Sequence, residues 1–325
     1  MLNWCIIGTG DVVQRLVQNS FFIKNKSKVS RLMSYDKISM EKFAKKYKIK
    51  KFSNKLIDII NDKEINSLYI ATHPNSHYYY INKLSPYIKF ILCEKPLVIK
   101  KNELQNILKI CNKYKTSLYT CFYRRHLKRF KFIKNIIEQN KLGKVLFFKM
   151  SLIHTVLSHP TAGFNPKNNK NIPWRFNKKI SGGGNFLDMG IHMIDMIDYL
   201  LGEIKSVTPI KKNFLNYYKV EDTASLQFKL RNGIIGNGFW CSVADTDEDS
   251  FEIYGDKGTI KFSMNKKNKI SISIGSSNLI KYISFEKPFH SNMIRYVVNE
   301  FTKLKKQNRY KIYNEGIKAS NIYFS

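Results

Sequence analysis

Three groups of residues have the types and spacings that chemistry requires. The first is Gly8-Thr9-Gly10-Asp11-Val12-Val13, directly after the apolar run Leu2–Ile7. In a dinucleotide-binding turn the first glycine makes the bend, the second lets the backbone approach a pyrophosphate, and a third allows close helix packing. Val13 stands where that third glycine would be, so a simple turn is a competing reading. Asp36 ends the next apolar run, where a carboxylate can accept from a ribose 2′-hydroxyl; Lys37 could instead pair with a 2′-phosphate. NAD and NADP both stay open, with a lean to NAD. A turn role is the alternative for Asp36.

The second group is Glu94-Lys95-Pro96, which follows the apolar residues 90–93. Ligands of open α/β sheets bind outside the carboxyl ends of the strands, so an ammonium there faces a crevice. Pro96 fixes the following backbone, with a cis bond as one option. In a chain this rich in lysine, a surface role for Lys95 is the bland alternative. The third group is Ser181-Gly182-Gly183-Gly184-Asn185-Phe186-Leu187-Asp188-Met189-Gly190-Ile191-His192, continuing to Asp195. The spacing puts Asp188, His192 and Asp195 near one helical face. An imidazole beside a carboxylate accepts a proton near neutral pH. The rivals are a metal site, for which no other His/Cys/Glu cluster completes a ligand set, and a capping or core role. The glycines let the backbone approach another domain or a ligand.

Alternating elements must hold the first two groups. Residues 2–7, 29–35, 67–72, 90–93 and 117–122 read as strands. Between them, 40–47, 54–61 (capped by Ser53), the stretch after His77 and a segment with Leu104, Ile107, Leu108 and Cys111 read as helices. Such alternation over about 120 residues means a parallel sheet with helices on both faces. The remainder changes character. A strand at 145–154, a polar loop at 155–179 and a helix at 184–201 precede strands at 204–212, 223–230, 234–242, 251–254, 259–263, 269–274 and 279–285. Gly255-Asp256-Lys257-Gly258 makes a hairpin-type turn, and 289–305 is a closing helix. Strands joined by short turns imply an antiparallel or mixed sheet, so this half is α+β. The expected domains are 1–122 and 123–325.

Composition narrows the function. The 325 residues are 43% hydrophobic and 14% aromatic, which excludes disorder as the main state. A net charge of +32 suggests nucleic acid, yet only nine of the 56 basic residues are arginine and the lysines form no long block. A solvated lysine surface is the preferred reading, and no specific nucleic-acid partner is expected. The positive field would still concentrate anionic small molecules. Five scattered cysteines without a CxxC pair fit a reducing cytoplasm. No basic leader or long apolar span is seen, so neither export nor a membrane is expected.

In the order GTGDVV, ATHPNSH, CEKP and GGGNFLDMGIHMIDMIDYLLG, with weaker matches at FYRRH, Trp174-Arg175 and YGDKGTI, the chain resembles the Gfo/Idh/MocA family (glucose–fructose oxidoreductase, inositol dehydrogenase and relatives). The resemblance implies an α/β fold: an N-terminal Rossmann doubly wound parallel sheet, then a C-terminal α+β domain with an open mixed, mostly antiparallel sheet. That sheet's broad face would form a homodimer or homotetramer. By similarity, Gly8, Thr9, Gly10, Asp11 and Val12 surround the pyrophosphate, with Asp36 and Lys37 near the adenosine ribose. Thr72, Pro74, Asn75 and His77 line the cofactor, and Glu94 and Lys95 lie near the nicotinamide ribose. Lys95 and His192, with Asp188, meet the substrate hydroxyl, and Tyr123, Arg125, Trp174 and Arg175 are expected to contact substrate.

The implied activity is NAD(P)-dependent hydride transfer to or from a secondary hydroxyl of a sugar, polyol or sugar nucleotide. The alternative is a non-catalytic, dinucleotide-binding sensor or assembly protein. In the enzymatic reading His192 is the general base and Lys95 stabilises alkoxide character. The 155–179 loop, with His159, Asn165, Lys167, Asn168 and Asn169, is expected to shape specificity. No metal is expected. The chain departs from the family pattern at Val13 and by ending at Ser325, soon after Asn314-Glu315-Gly316, where the terminal helix is expected to be short.

Overall fold

Continuous apolar runs become the strands of the first sheet: β1 (Leu2–Ile7), β2 (Ser27–Met33), β3 (Lys51–Ser53), β4 (Ser67–Ile70), β5 (Phe90–Cys93) and β6 (Ser117–Thr120). Every residue of β4, β5 and β6 is buried, as expected where both faces are covered. All neighbours pair in parallel, in the order β3-β2-β1-β4-β5-β6. The chain direction across the sheet therefore reverses between β1 and β4, the switch point at which such sheets bind ligands.

The computed structural model describes residues 1–155, 172–265 and 267–325. They form two units: Met1–Tyr123 with Glu286–Ser320, and Arg124–Phe285 with Asn321–Ser325. In the first unit the connections carry α1 (Lys37–Tyr47), α2 (Ile57–Asn61), α3 (His77–Leu84) and α4 (Lys101–Tyr114). On α4, Leu104, Ile107 and Cys111 are buried, as their helical spacing requires. The unit is completed by a helix from far along the chain, Ser291–Lys306. Its Met293, Ile294, Val297, Val298 and Phe301 join Trp4, Phe21, Tyr69 and Phe90 in one core. Each such side chain contributes about 2 kcal/mol by leaving water.

Two local expectations change. Ser53 ends β3 instead of capping a helix, because residues 51–53 pair with β2; the helix starts at Ile57. The turn after Gly10 opens into a π-helix, Val12–Val17, with Gln18 N donating to Val13 O at 2.9 Å and Val13 fully buried.

In the second unit α5 (Lys128–Glu138) precedes β7 (Val145–Thr155), and α6 (Lys178–Ser181) and α7 (Ile191–Leu201) precede the remaining strands. These are β8 (Ile204–Lys212), β9 (Thr223–Leu230), β10 (Ile235–Ala244), β11 (Glu248–Gly255), β12 (Gly258–Phe262), β13 (Lys269–Ile274) and β14 (Ser277–Tyr282). The sheet order is β14-β13-β12-β11-β7-β10-β9-β8, antiparallel except for the parallel pair β7 and β10. One face packs on helices: Trp240 of β10 lies against Phe186, with Nε1 pointing at Met193 Sδ of α7, and Phe130 of α5 meets Phe262 edge-on. On the other face Phe147, Ile235 and Phe239 are exposed on the central strands. The helix expected over 184–201 is divided into a π-helical turn, Phe186–Gly190, and α7. Among the described residues no helix is long and apolar enough to cross a membrane. The Ser291–Lys306 helix is α8, and α9 (Asn314–Phe324) closes the chain.

Candidate active site

The carboxyl edge of the first sheet gathers the residues that follow four adjacent strands. After β1, Gly8 takes φ +88°, and a Cβ there would meet Ala71 O at 2.7 Å, so glycine is required twice over. A Cβ at Gly10 would meet nothing within 4 Å: the backbone there borders open space. That space is a cavity of about 410 Å³ whose lining includes Gly8, Thr9, Gly10, Asp36, Thr72 and Asn75, all anticipated from the sequence. Tyr35 and Tyr80 also line it and were not anticipated. Tyr80 falls on the buried stripe of α3 with His77, Ile81 and Leu84, a spacing that could have drawn attention to it.

The turn is pinned from two sides. Thr9 O accepts from Gln14 Nε2 at 3.2 Å and from the Ser39 hydroxyl, while Asp36 Oδ1 accepts from Ser39 N at 3.0 Å and so caps α1. Thr9 Oγ1 is buried and has no hydrogen-bond partner among the described residues. A glycine turn beside open space, an unsatisfied hydroxyl and a carboxylate at the end of β2 fit the pyrophosphate and ribose of a dinucleotide. Asp11 is paired bidentately with Arg15 on the exposed first turn, and Lys37 extends to within 3.9 Å of Glu41.

Beyond β4 and β5 the anticipated residues divide between surface and interior. His77 is fully buried, with Nδ1 2.9 Å from Pro96 O and Nε2 3.1 Å from Thr72 O, so it ties the loop after β4 to the loop after β5. Burial holds its pKa below the ordinary histidine value. Pro74 is buried, and the Lys95–Pro96 bond is cis. Glu94 is turned inward: its Oε1 accepts from Tyr69 OH at 2.7 Å and lies 3.5 Å from His290 Nδ1, and its Oε2 accepts from Lys95 N at 3.3 Å. Burial, and then Glu94, push the Tyr69 phenol well above its usual range.

In the second unit the glycine run serves packing. A Cβ on Gly184 would come within 2.1 Å of Glu221 O, and Gly184 N donates to Glu221 Oε1 at 2.8 Å. Burial raises the pKa of that carboxyl. Three anticipated residues meet directly: Arg175 Nε donates to Asp188 Oδ2 at 2.9 Å, and its guanidinium lies 4.4 Å from the Trp174 ring. His192 is buried in the first turn of α7. Asp195 goes elsewhere. Its Oδ1 accepts from Arg125 Nε at 2.8 Å, and Arg125 also reaches Asp198 at 3.0 Å. Tyr123 stands with its ring 4.8 Å from that of His290. His159, Asn165, Lys167, Asn168 and Asn169 lie outside the described residues. Among the described residues no group of three or more His, Cys, Asp and Glu could hold a metal ion.

A glycine turn at the switch point of a parallel 3-2-1-4-5-6 sheet, with a carboxylate at the end of its second strand, defines the class: a Rossmann dinucleotide-binding protein. Residues 2–122 match the family model described as an oxidoreductase family with an NAD-binding Rossmann fold, and residues 130–261 match the model of the GFO/IDH/MocA C-terminal domain. The chain belongs to the Gfo/Idh/MocA family of oxidoreductases. Oxidoreductase P35 of Formosa agariphila is 26% identical over 291 residues, covering 89% of this chain and 87% of that protein. Glucose-6-phosphate 3-dehydrogenase of Bacillus subtilis is 26% identical over 270 residues, covering 79% and 73%. A solved structure of levoglucosan dehydrogenase with NADH and levoglucosan superposes with a TM-score of 0.79 at 20% identity, covering 100% of this chain and 96% of that one; at this identity the shared property is the fold. The protein is an enzyme, an NAD(P)-dependent oxidoreductase of the sugar and polyol dehydrogenase type. Family membership does not favour the sensor alternative.

Proposed function

We propose that this enzyme oxidises a secondary hydroxyl of an anionic or nucleotide-linked sugar with NAD, and reduces the corresponding ketone in reverse. The observation that carries this reading is the set of residues after β1, β2, β4 and β5: the Gly8–Gly10 turn, Asp36, Thr72 and Lys95 follow neighbouring strands at one sheet edge. Asp36 favours a ribose 2′-hydroxyl over a 2′-phosphate by charge alone. When bound, the nicotinamide supplies the hydride acceptor. Lys95 holds the substrate oxygen and stabilises its alkoxide character, an effect strengthened wherever water is excluded. His192 takes the hydroxyl proton as the carbon–hydrogen bond breaks, acting as the general base. Asp188 sets the local charge, together with Arg175.

The excess of lysine supports an anionic substrate through the field it creates. Exposed Phe147, Ile235 and Phe239 on the central strands of the second sheet support self-association of that face into a dimer or tetramer. Five free cysteines, four of them buried, support a reducing, cytoplasmic setting.

The test is reduced-nicotinamide absorbance with NAD and a panel holding levoglucosan, glucose 6-phosphate and nucleotide-linked sugar acids. Turnover by the wild type that disappears in Lys95→Ala and His192→Ala is the expected result. Turnover that persists in either variant overturns the assigned roles.

A further inference from the structure

Next to Lys95 in the chain, Glu94 joins two buried ionisable groups, Tyr69 and His290, to which the hydride-transfer reading gives no role. Tyr69 is the third residue of β4 and is fully buried. Glu94 immediately follows β5 and is 7% exposed. His290 is 2% exposed and immediately precedes α8, with its N–H donating to Leu16 O at 3.1 Å in the segment that follows the glycine turn. Three separate stretches of chain meet here, placing a phenol and an imidazole beside one carboxyl oxygen: Tyr69 OH at 2.7 Å and His290 Nδ1 at 3.5 Å from Glu94 Oε1. The other oxygen, Oε2, accepts from the backbone N–H of Lys95 at 3.3 Å.

A carboxyl with this little exposure must be met by donors to stay in place. Here the Tyr69 hydroxyl donates to it and the His290 ring lies within ion-pairing distance, and the carboxyl so placed holds the backbone N–H of the next residue. The loop is held a second time one residue further on, where His77 lies 2.9 Å from Pro96 O. The Lys95 backbone is thus held on both sides by buried side chains.

We propose that Tyr69 and His290 are positioning residues that act through Glu94 to aim Lys95. The inference rests on the reading of Lys95 as the residue that holds the substrate oxygen. It goes further by assigning part of that task to α8, which lies far along the chain from the Rossmann strands. Tyr69→Phe removes one oxygen and leaves the ring in the core. His290→Gln removes the imidazole that lies within ion-pairing distance of Glu94. Neither side chain is given a contact with substrate, so both should act on the reaction rather than on binding.

Two measurements on the full-length protein decide it. The first is the split between kcat and KM on the panel sugar turned over fastest. A misaimed ammonium lowers kcat by about tenfold or more, with KM for NAD and the sugar little changed. The second needs no substrate: trace acetylation of all lysines by acetic anhydride, read peptide by peptide by mass spectrometry. Lys95 should change in reactivity severalfold relative to the remaining lysines in both variants, and thermal unfolding reports any general loss of fold. Glu94→Gln, which keeps one acceptor oxygen for Lys95 N and turns an amide N–H toward the Tyr69 oxygen, should retain more activity than Glu94→Ala. Unchanged kcat and unchanged Lys95 labelling in Tyr69→Phe and His290→Gln overturn the proposal, whatever happens to the melting temperature. Lys95→Ala separates the two claims: if it is inactive while both positioning variants are silent, only the positioning role fails. If Lys95→Ala turns over normally, both claims fail.

Discussion

Replacing Arg125 by Met tests whether this residue is structural. Its side chain is 13% exposed and bridges Asp195, which is 1% exposed, and Asp198, which is 15% exposed. Removing the cation leaves the Asp195 carboxylate in the interior without its guanidinium. Breaking a buried pair from one side costs about 3–5 kcal/mol, because the remaining charge loses compensation without regaining water. Asp195→Leu alone strands the arginine, but less severely, since Asp198 still faces it. The double variant Arg125→Met/Asp195→Leu should recover at least about 2 kcal/mol relative to the sum of the single changes, as expected for a directly coupled pair. The assay is urea unfolding of the four proteins of this cycle, with NAD and sugar KM measured on each. A loss below about 1 kcal/mol in Arg125→Met, combined with a raised sugar KM, would refute the structural assignment and return Arg125 to substrate binding.

Other expectations follow from single features. Ser39→Ala removes a donor to Thr9 O and should weaken NADH binding by several-fold, measured by nicotinamide fluorescence, with little change in kcat. Asp36→Ala should weaken NAD binding by about tenfold, the worth of a charge-assisted hydrogen bond, and narrow the preference over NADP. Burial, then Lys131 and Arg125, hold His126 down to a pKa of about 3. The unfolded chain binds that proton near the ordinary value, so His126 adds stability above about pH 6.5 that is lost as pH falls toward 3. His126→Asn should flatten that part of the stability curve measured by urea unfolding. Gly184→Ala forces a Cβ onto Glu221 O and should lower the melting temperature by several degrees.

What the sequence disclosed tracks how local each feature is. The strands of the first half were legible because parallel strands covered on both faces are unbroken apolar runs, and the glycine turn was legible because its backbone needs are met by residue type. The strands of the second half showed through alternation: on β10, buried Gly238, Trp240 and Ser242 alternate with exposed Asn237 and Phe239. Ser53 misled because a good capping residue also ends a strand that pairs with β2, and tertiary pairing outweighed capping. The π-helical turns at Val12–Val17 and Phe186–Gly190 leave no mark in apolar periodicity. Features that depend on distant partners could not be read locally. Asp195 sits on the same helical spacing as Asp188 and His192, yet its partner, Arg125, is 70 residues away, and the partner of Asp188 is Arg175. His290 lies in no motif, and only the return of α8 to the first unit brings it to Glu94.

The most direct measurement is isotope transfer. A sugar that is turned over is deuterated at the carbon bearing the oxidised hydroxyl and incubated with NAD and enzyme, and the reduced cofactor is weighed by mass spectrometry. One deuterium in the nicotinamide ring is expected with the wild type and almost none with Lys95→Ala. A reduced cofactor carrying only hydrogen, or deuterium transfer undiminished in Lys95→Ala, would contradict that expectation.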